Sequence, residues 1–158
     1  MLNSENSSAH SSTFDISDPN HLLRVRGACV LLVEDNPDNR NLIARYLRYS
    51  GAYVDFAENG IEGVKKALVN NYDIILMDIQ MPRLDGLEAT KKLREFGYDG
   101  SIVAITGYSK KAEREDCLEA GFDEYLTKPV QRTRLLFTIA NQPRVRRELN
   151  FEARSFIH

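Results

Sequence analysis

The 158 residues, 42% hydrophobic and 28% charged, have the composition of a soluble globular protein of one ordinary domain with tails. A formal net charge of −2 argues against nonspecific binding to nucleic acid or an anionic membrane, and no apolar stretch approaches the roughly 18 residues of a membrane helix. Because His10, His21 and His158 all lie in the tails, a Ser-His-Asp triad, a Cys-His pair and a histidine-based metal site are excluded from the folded part.

The predicted elements alternate between strand and helix. Residues 1–26 are polar and lack periodicity, which predicts a disordered or linker segment. Strands are predicted at 28–33, 52–57, in the apolar run that ends at Asp78, at 101–106 and at 122–127. The intervening helices are predicted from Asn36-Pro37 to about Gly51, around 61–68, at 86–96, at 109–120, and around 135–139.

This order of elements predicts an α/β fold. Five strand–helix units in about 115 residues favour a parallel sheet with right-handed crossovers and helices on both faces. The preferred strand order is 2-1-3-4-5, a doubly wound flavodoxin-like arrangement in three layers. We therefore expect one domain at 27–141, followed by a charged helical extension or tail at 142–158.

The amino-terminal segment and the cysteines bear on the compartment. The segment has no hydrophobic region typical of a secretory signal. Cys29 and Cys117 form no CxxC pair and are predicted to be inert thiols in or near the core. We therefore expect a protein of the reducing cytoplasm.

Polar side chains stand at the carboxyl ends of four predicted strands. They are Glu34-Asp35, Asp78, Thr106 and Lys128. In the 2-1-3-4-5 order these groups converge, and carboxylates about 4 Å apart repel by about 4 kcal/mol per pair at an effective dielectric of 20. A hard divalent cation relieves that repulsion, and Mg²⁺ suits a few carboxylates, water and phosphate oxygens.

A carboxylate can also act as a nucleophile that forms an aspartyl phosphate. Phosphoryl transfer needs its charge neutralised, and a metal ion, a lysine and a threonine are the right groups for this. Each residue alone has a structural explanation: an acidic helix start for Glu34-Asp35, a turn for Thr106, a solvated side chain for Lys128. Those explanations leave the joint pattern unaccounted for.

Four motifs carry a resemblance to a known family over about residues 28–141. They are Val-Glu34-Asp35-Asn-Pro, Met-Asp78-Ile-Gln-Met-Pro-Arg-Leu-Asp-Gly, Ala-Ile-Thr106-Gly and Tyr125-Leu-Thr-Lys128-Pro129. With them the chain closely resembles the receiver domain of bacterial-type two-component response regulators. The resemblance implies that Asp78 accepts a phosphoryl group from a phosphohistidine on a histidine kinase or a histidine phosphotransfer protein. It also implies a signalling phosphoacceptor that catalyses only its own phosphorylation and dephosphorylation.

The resemblance further implies a role for each residue. Asp35 and Asp78 would ligate Mg²⁺ directly, Glu34 partly through water, and Gln80 through its backbone carbonyl. Lys128 would contact the phosphoryl oxygens, and the Thr106 hydroxyl would move to bond them.

Other positions implied by the resemblance concern switching and tuning. Tyr125 would be an aromatic switch that turns inward with Thr106, the alternative being an amphipathic aromatic on an edge strand. The peptide bond before Pro129 would be cis. Gly107 stands where the family more often has alanine, which would leave the site more open. Gln80 and Tyr108 would flank the phosphoryl group and tune its hydrolysis.

Two other functions compete with this interpretation. A phosphatase with an aspartyl nucleophile of the haloacid dehalogenase type needs a carboxylate two residues after the nucleophile, where this chain has Gln80. A pseudo-receiver, a protein-binding module without phosphorylation, would not need the full set of acidic, hydroxyl and lysine groups.

The output of the protein is left open by the sequence. About 17 residues follow the last helix, too few for a DNA-binding or enzymatic domain. The chain is therefore expected to be either a single-domain regulator or a receiver cut from a larger protein. Its Gln-Met-Pro motif after Asp78 resembles that of receivers in hybrid histidine kinases. We expect it to signal by contact with a downstream protein, without binding nucleic acid or membrane directly, and phosphorylation-dependent dimerisation stays open.

Overall fold

The computed structural model of the protein describes residues 25–107 and 111–145. Predictions for 1–24, for Tyr108 and for 146–158 lie outside the described residues. Within the described residues, five strands and five helices alternate. The strands are β1 (Cys29–Val33), β2 (Tyr53–Ala57), β3 (Ile74–Asp78), β4 (Ser101–Thr106) and β5 (Glu124–Thr127). The helices are α1 (Pro37–Tyr49), α2 (Gly60–Val69), α3 (Gly86–Glu95), α4 (Lys111–Ala120) and α5 (Arg132–Ala140).

The strands form one parallel sheet in the order β2-β1-β3-β4-β5, which confirms the predicted fold class. Every residue of β3 and of β4 is buried. Central strands of a parallel sheet are covered on both faces by helices, so their sequences are continuously apolar rather than alternating.

Two hydrophobic clusters, one on each face of the sheet, form the core. Side chains of a strand point alternately to opposite faces. Val30 and Leu32 of β1 accordingly join the cluster that includes residues of α1 and α5. Leu31 and Val33 join the cluster that includes residues of α2, α3 and α4.

The core extends slightly past the predicted domain. Val25 and Val145, at the two ends of the described chain, are buried in the cluster beside α1 and α5. Both lie outside 27–141, and the domain boundaries stay a prediction.

Helix α1 starts where its capping residues predict. The Asn36 side chain accepts hydrogen bonds from the backbone N–H groups of Asp38 and Asn39, and Pro37 occupies the first helical position. After the helix, Gly51 adopts a left-handed conformation with φ of 85°. These local signals fix both ends of the helix that follows β1.

The predicted start of the fifth strand differs from the structure. That strand begins at Glu124 and not at residue 122. The Phe122 N–H donates to the Cys117 carbonyl and closes the last turn of α4, while the Phe122 side chain is buried in the core. Phe122 is therefore apolar because of packing and not because of strand pairing.

Two further observations concern the length of the helices and the state of the cysteines. No helix among the described residues combines the length and the apolar character needed to cross a membrane. Cys29 and Cys117 form no disulfide, and burial raises the pKa of the Cys117 thiol. That thiol is therefore kept protonated, as expected for an inert core residue.

Candidate functional site

Three carboxylates meet at the carboxyl end of the sheet. Glu34 and Asp35 directly follow β1, and Asp78 is the last residue of β3, the neighbour of β1. One carboxylate oxygen from each of the three lies within 4.8 Å of the others. Glu34 and Asp78 are buried and Asp35 is half-buried. The parallel topology thus brings together the acidic residues that the sequence singled out.

Lys128, which follows β5, supplies a positive charge to this cluster. Its Nζ donates a hydrogen bond to Asp78 Oδ2 at 2.9 Å and lies 3.4 Å from Glu34 Oε2. Burial alone would lower the pKa of Lys128, but the hydrogen bond to Asp78 and the charges of Asp78 and Glu34 outweigh it and raise that pKa. The ammonium group therefore stays charged at neutral pH.

Glu34 shows that this cluster is short of positive charge. Its Oε1 accepts the Asn36 N–H at 3.1 Å, whereas Oε2 is buried and accepts no hydrogen bond from the described residues. Burial, reinforced by the negative charge of Asp78, raises the pKa of Glu34 to about 7, although Lys128 acts in the opposite direction. The Lys128 ammonium, 3.4 Å from this oxygen, also pairs with Asp78 and does not offset the burial and the repulsion, because the pKa of Glu34 stays raised. The donor set and the remaining excess of negative charge therefore fit a hard divalent cation.

Thr106 and Lys128 are held next to the carboxylates by backbone hydrogen bonds. The Lys128 N–H donates to the Thr106 carbonyl at 2.7 Å, and the Ile79 N–H donates to the Ile105 carbonyl at 3.0 Å. Thr106 is buried at the end of β4, which lies between β3 and β5. The peptide bond between Lys128 and Pro129 is cis.

Arg40 was not predicted as a site residue, yet it braces Glu34. Its Nη1 donates to the Glu34 carbonyl at 3.0 Å, and its Nη2 lies 3.6 Å from the Glu58 carboxylate. It therefore fixes the backbone that carries the first two acidic residues. The local sequence does not predict this contact, because it forms only when the Arg40 side chain, in α1, turns back to the Glu34 carbonyl.

Gly86 is a second residue whose role the sequence did not reveal. The sequence marks it only as a turn before a helix, and Asp85 does cap α3 by accepting the Glu88 N–H at 2.9 Å. A Cβ at Gly86 would lie 2.2 Å from the Asp78 carbonyl oxygen and 2.8 Å from Ile79 Cα. Only glycine therefore lets α3 approach the backbone of Asp78 this closely.

The remaining predicted residues surround this cluster. The Gln80 N–H donates to Asp78 Oδ1 at 3.1 Å, and Gln80 and Thr106 line one pocket of about 360 Å³. Gly107 is exposed, and a Cβ there would meet nothing within 4 Å. Tyr125 is half-buried, with the Arg114 guanidinium 4.9 Å from its ring centre. Tyr108 lies outside the described residues.

Comparison with known proteins adds to this geometry. Residues 30–140 match the family model of the response regulator receiver domain. The chain is 36% identical over 112 residues to the chemotaxis protein CheY of Halobacterium salinarum, covering 71% of this chain and 93% of that one. Other curated relatives are far longer and include hybrid histidine kinases. The chain spans 3 to 16% of the length of seven of them.

Solved structures give the same match. The receiver domain of the sensor histidine kinase PA1611 of Pseudomonas aeruginosa, described with a magnesium ion coordinated in its active-site cleft, is 41% identical with a TM-score of 0.68. The match covers 73% of this chain and 97% of that one. A yeast (Saccharomyces cerevisiae) co-crystal structure, of the phosphotransfer protein Ypd1 with the receiver domain of Ssk1, gives 31% identity and a TM-score of 0.71, covering 75% of this chain and 90% of the matched one.

Proposed function

The chain belongs to the response regulator receiver domain family of two-component signalling, and we propose that it is a phosphoacceptor that takes a phosphoryl group from a phosphohistidine onto Asp78. One observation carries the proposal: Asp78 is buried beside Glu34 and Asp35, with the Lys128 ammonium 2.9 Å from its carboxylate. A structural ion pair between Asp78 and Lys128 would not need two further carboxylates, one of which, Glu34, has a buried oxygen that accepts no hydrogen bond from the described residues.

The proposed reaction is a displacement at phosphorus. A carboxylate oxygen of Asp78 attacks the phosphorus, an O–P bond forms, and the P–N bond of the phosphohistidine breaks. The imidazole leaves with the electron pair of that bond and takes up a proton from solvent. Lys128, whose ammonium already lies 2.9 Å from the Asp78 carboxylate, neutralises charge on the phosphoryl oxygens and so lowers the barrier. The Thr106 hydroxyl would move to donate a hydrogen bond to one of those oxygens.

Mg²⁺ is the cation proposed for the acidic cluster. The side chains of Glu34, Asp35 and Asp78 and the backbone carbonyl of Gln80 would hold it. When bound, it would supply positive charge to the phosphoryl oxygens and relieve the repulsion among the carboxylates. The buried Glu34 Oε2, which accepts no hydrogen bond from the described residues, supports this assignment.

The proposed signal is a change of conformation read by another protein. Thr106 would move towards the phosphoryl group, and Tyr125 would turn inward behind it. A complete switch from 1:99 to 99:1 needs about 5.5 kcal/mol of differential stabilisation, so a partial shift is an equally reasonable outcome. Gln80, Gly107 and Tyr108 are proposed to tune how fast the phosphoryl group is lost.

The proposed partners follow from the phosphohistidine chemistry. The phosphodonor would be a histidine kinase or a histidine phosphotransfer protein, and the solved receiver domain in complex with such a phosphotransfer protein supports that class. The unit at 27–141 would then contact a downstream protein in the reducing cytoplasm. The reduced state of Cys29 and Cys117, which form no disulfide, is compatible with that compartment.

Incubation with a small phosphodonor such as acetyl phosphate and Mg²⁺ tests the proposal. Intact-mass spectrometry should show one added phosphoryl group on the wild type and none on Asp78→Asn. Asp85→Asn is the matched control, because it removes a carboxylate from the same loop and asparagine caps a helix as well as aspartate does. Phosphate incorporated into Asp78→Asn would show that the nucleophile is a different residue.

A phosphotransfer profile would identify the donor. Purified histidine kinases and phosphotransfer proteins of the host, each phosphorylated with labelled ATP, would be mixed with the wild type and with Asp78→Asn. Rapid transfer from one donor to the wild type alone is the expected result. Transfer from none of them, combined with no reaction with acetyl phosphate, would favour a protein-binding module without phosphorylation.

A further inference from the structure

The outer edge of the sheet at β2 is only half covered. β2 pairs with β1 on one side, where the Tyr53 N–H donates to the Ala28 carbonyl and the Ala57 carbonyl accepts the Glu34 N–H. Backbone groups of successive strand residues point to opposite sides. The alternate residues Val54 and Phe56 therefore direct their N–H and carbonyl groups away from the sheet.

The two outward-facing residues differ in how these groups are satisfied. The Phe56 N–H donates to Asp55 Oδ1 at 2.8 Å, and its carbonyl accepts a hydrogen bond from Lys66 Nζ. Among residues 25–107 and 111–145, no hydrogen bond is made to the outward-facing N–H or carbonyl of Val54. Proteins usually protect sheet edges with charged side chains. Here that protection stops at Phe56, and the edge at Val54 is free to accept another strand.

The open part of the edge lies in a pocket of about 490 Å³. Arg48 of α1 lies on its wall together with the loop before β3, which contributes Asn71 and Tyr72. Tyr53, with 70% of its surface exposed, also lines it. An exposed aromatic side chain next to unpaired backbone groups is typical of a site where an extended peptide adds to a sheet.

The amino-terminal segment of the chain enters beside this pocket. The Gly27 N–H donates to the Gly51 carbonyl at 2.8 Å, and the Arg26 side chain packs against Gly51. Gly51 immediately precedes Ala52 and Tyr53, which line the pocket. Seven extended residues span at most about 24 Å, and neighbouring strands are about 4.8 Å apart. A linker of the length of residues 18–24 therefore covers about five strand spacings when fully extended.

We propose that residues 13–17 of this chain bind the open edge of β2 as an added strand. Residues 1–26 as a whole lack periodicity, but the five residues Thr13-Phe14-Asp15-Ile16-Ser17 alternate polar and apolar side chains. In a strand, Phe14 and Ile16 would therefore lie on one face and Asp15 on the other. Five residues are too few to form a sheet alone, but they suffice to extend an existing one. Asp15 also carries the charge opposite to that of Arg48.

Attachment to the same chain favours this occupant over a second copy or a separate partner. A segment tethered by a short linker has an effective concentration in the millimolar range, which a free partner rarely reaches. The proposal does not depend on phosphorylation at Asp78.

Amide hydrogen exchange of the full chain, followed by NMR, tests the proposal. The Val54 amide should exchange about tenfold more slowly in the wild type than in the double variant Phe14→Ser, Ile16→Ser. Leu2→Ser, which removes an apolar side chain outside the segment, should leave this exchange unchanged. The Asp55 amide, on the side facing β1, should stay protected in every variant and reports that the fold is intact.

Nuclear Overhauser contacts identify the occupant directly. In the wild type the Val54 amide proton should show contacts to protons of residues 13–17, and Val54→Pro, which lacks the amide proton, should release the segment. Equal exchange at Val54 in the wild type and the double variant would overturn the proposal. Contacts observed only between differently labelled molecules would also overturn it, because the occupant would then be a second copy.

Discussion

Carboxylates lie at both ends of the sheet, but their hydrogen bonding differs between the two ends. At the amino end, Asp73, Asp99 and Asp123 precede β3, β4 and β5, and each has a donor. Asp73 Oδ2 accepts the Cys29 N–H at 2.7 Å, Asp99 pairs with Arg144, and Asp123 accepts the Ile102 N–H and pairs with Arg94. These amino-end carboxylates tie loops together.

At the carboxyl end, Glu34, Asp35 and Asp78 crowd around Lys128, and one buried oxygen of Glu34 accepts no hydrogen bond from the described residues. The comparison teaches that a carboxylate's place in the sheet says less about its role than whether its oxygens are satisfied. Satisfied carboxylates stabilise the fold. An unsatisfied cluster is costly and is expected where a cation and a phosphoryl group bind.

Asp78→Asn should give the largest effect and separate the two ends most clearly. Phosphoryl incorporation should fall to background, while the free energy of unfolding without Mg²⁺ should rise by about 1 kcal/mol because repulsion with Glu34 is relieved. Mass spectrometry and urea denaturation measure the two quantities. A marked loss of stability would mean that Asp78 is chiefly a structural partner of Lys128.

Mg²⁺ should stabilise the protein through the carboxyl-end cluster alone. At a concentration one hundred times its dissociation constant, a ligand of the folded state adds about 2.7 kcal/mol to the free energy of unfolding. Thermal or urea unfolding with and without Mg²⁺ measures this gain. Asp35→Asn should lose most of it, whereas Asp123→Asn should keep it. Equal gains in both variants would place the cation elsewhere.

Gly86→Ala should disturb the carboxyl end through packing rather than charge. The new Cβ would overlap the Asp78 carbonyl oxygen at 2.2 Å, so the backbone must shift, at a cost of about 1–3 kcal/mol. Urea denaturation and the rate of phosphorylation should both report it. Gly107→Ala is the matched control, because its Cβ meets nothing within 4 Å. If both variants unfold alike, the close approach of α3 to β3 is not a constraint.

Asp123→Ala, at the amino end, should lower the free energy of unfolding, whereas Asp78→Asn should raise it. It removes the acceptor of the Ile102 N–H and a partner of Arg94, so stability should fall by about 1–2 kcal/mol. Denaturant unfolding and the phosphorylation rate are again the measurements. The rate should not change, and a slower reaction would show that the two ends are coupled.

The smallest expected effect is the pH dependence of stability that comes from Asp55, the carboxylate of the edge strand β2 that pairs with Lys66. Burial tends to raise the pKa of Asp55, but hydrogen bonds from Tyr72 and Lys66 outweigh it and lower that pKa. The stability it contributes is present above the unfolded pKa of about 3.9 and is lost as pH falls through the lower folded value. Because the side chain is 46% exposed, the contribution should stay below about 1 kcal/mol.

Asp55→Asn is the variant that isolates this charge. Urea denaturation between neutral pH and pH 3 should show the wild type more stable at neutral pH, with the difference shrinking as the acid form of Asp55 accumulates. A difference that does not change with pH would assign the effect to packing.

Much of the fold followed from the sequence because its signals are local. The Asn36-Pro37 start of α1, Gly51 after it and the apolar runs of β3 and β4 each depend on neighbouring residues. The convergence of Asp78 with Glu34 followed from the predicted strand order 2-1-3-4-5, which places β1 beside β3.

The contacts that brace the site did not follow from the sequence. Arg40 reaches Glu34 across six residues, and Gly86 meets Asp78 across eight. Both depend on the path of a loop that no periodicity specifies. The roles assigned to Thr106 and Tyr125 stay predictions, because they concern a change of conformation.

The chain enters and leaves the folded unit at the amino end of the sheet. Val25 lies just before β1, and Gly27 bonds the Gly51 carbonyl before β2. Arg144 bonds the Tyr72 carbonyl before β3 and Asp99 before β4. A tether joined to either end would therefore run from the side opposite to Asp78. A fusion partner attached there leaves the carboxyl end open to a docking protein, and the length of the tether then sets how often the two meet. For protein engineering, this makes the unit a module that can be fused into a longer chain without covering the proposed site at Asp78.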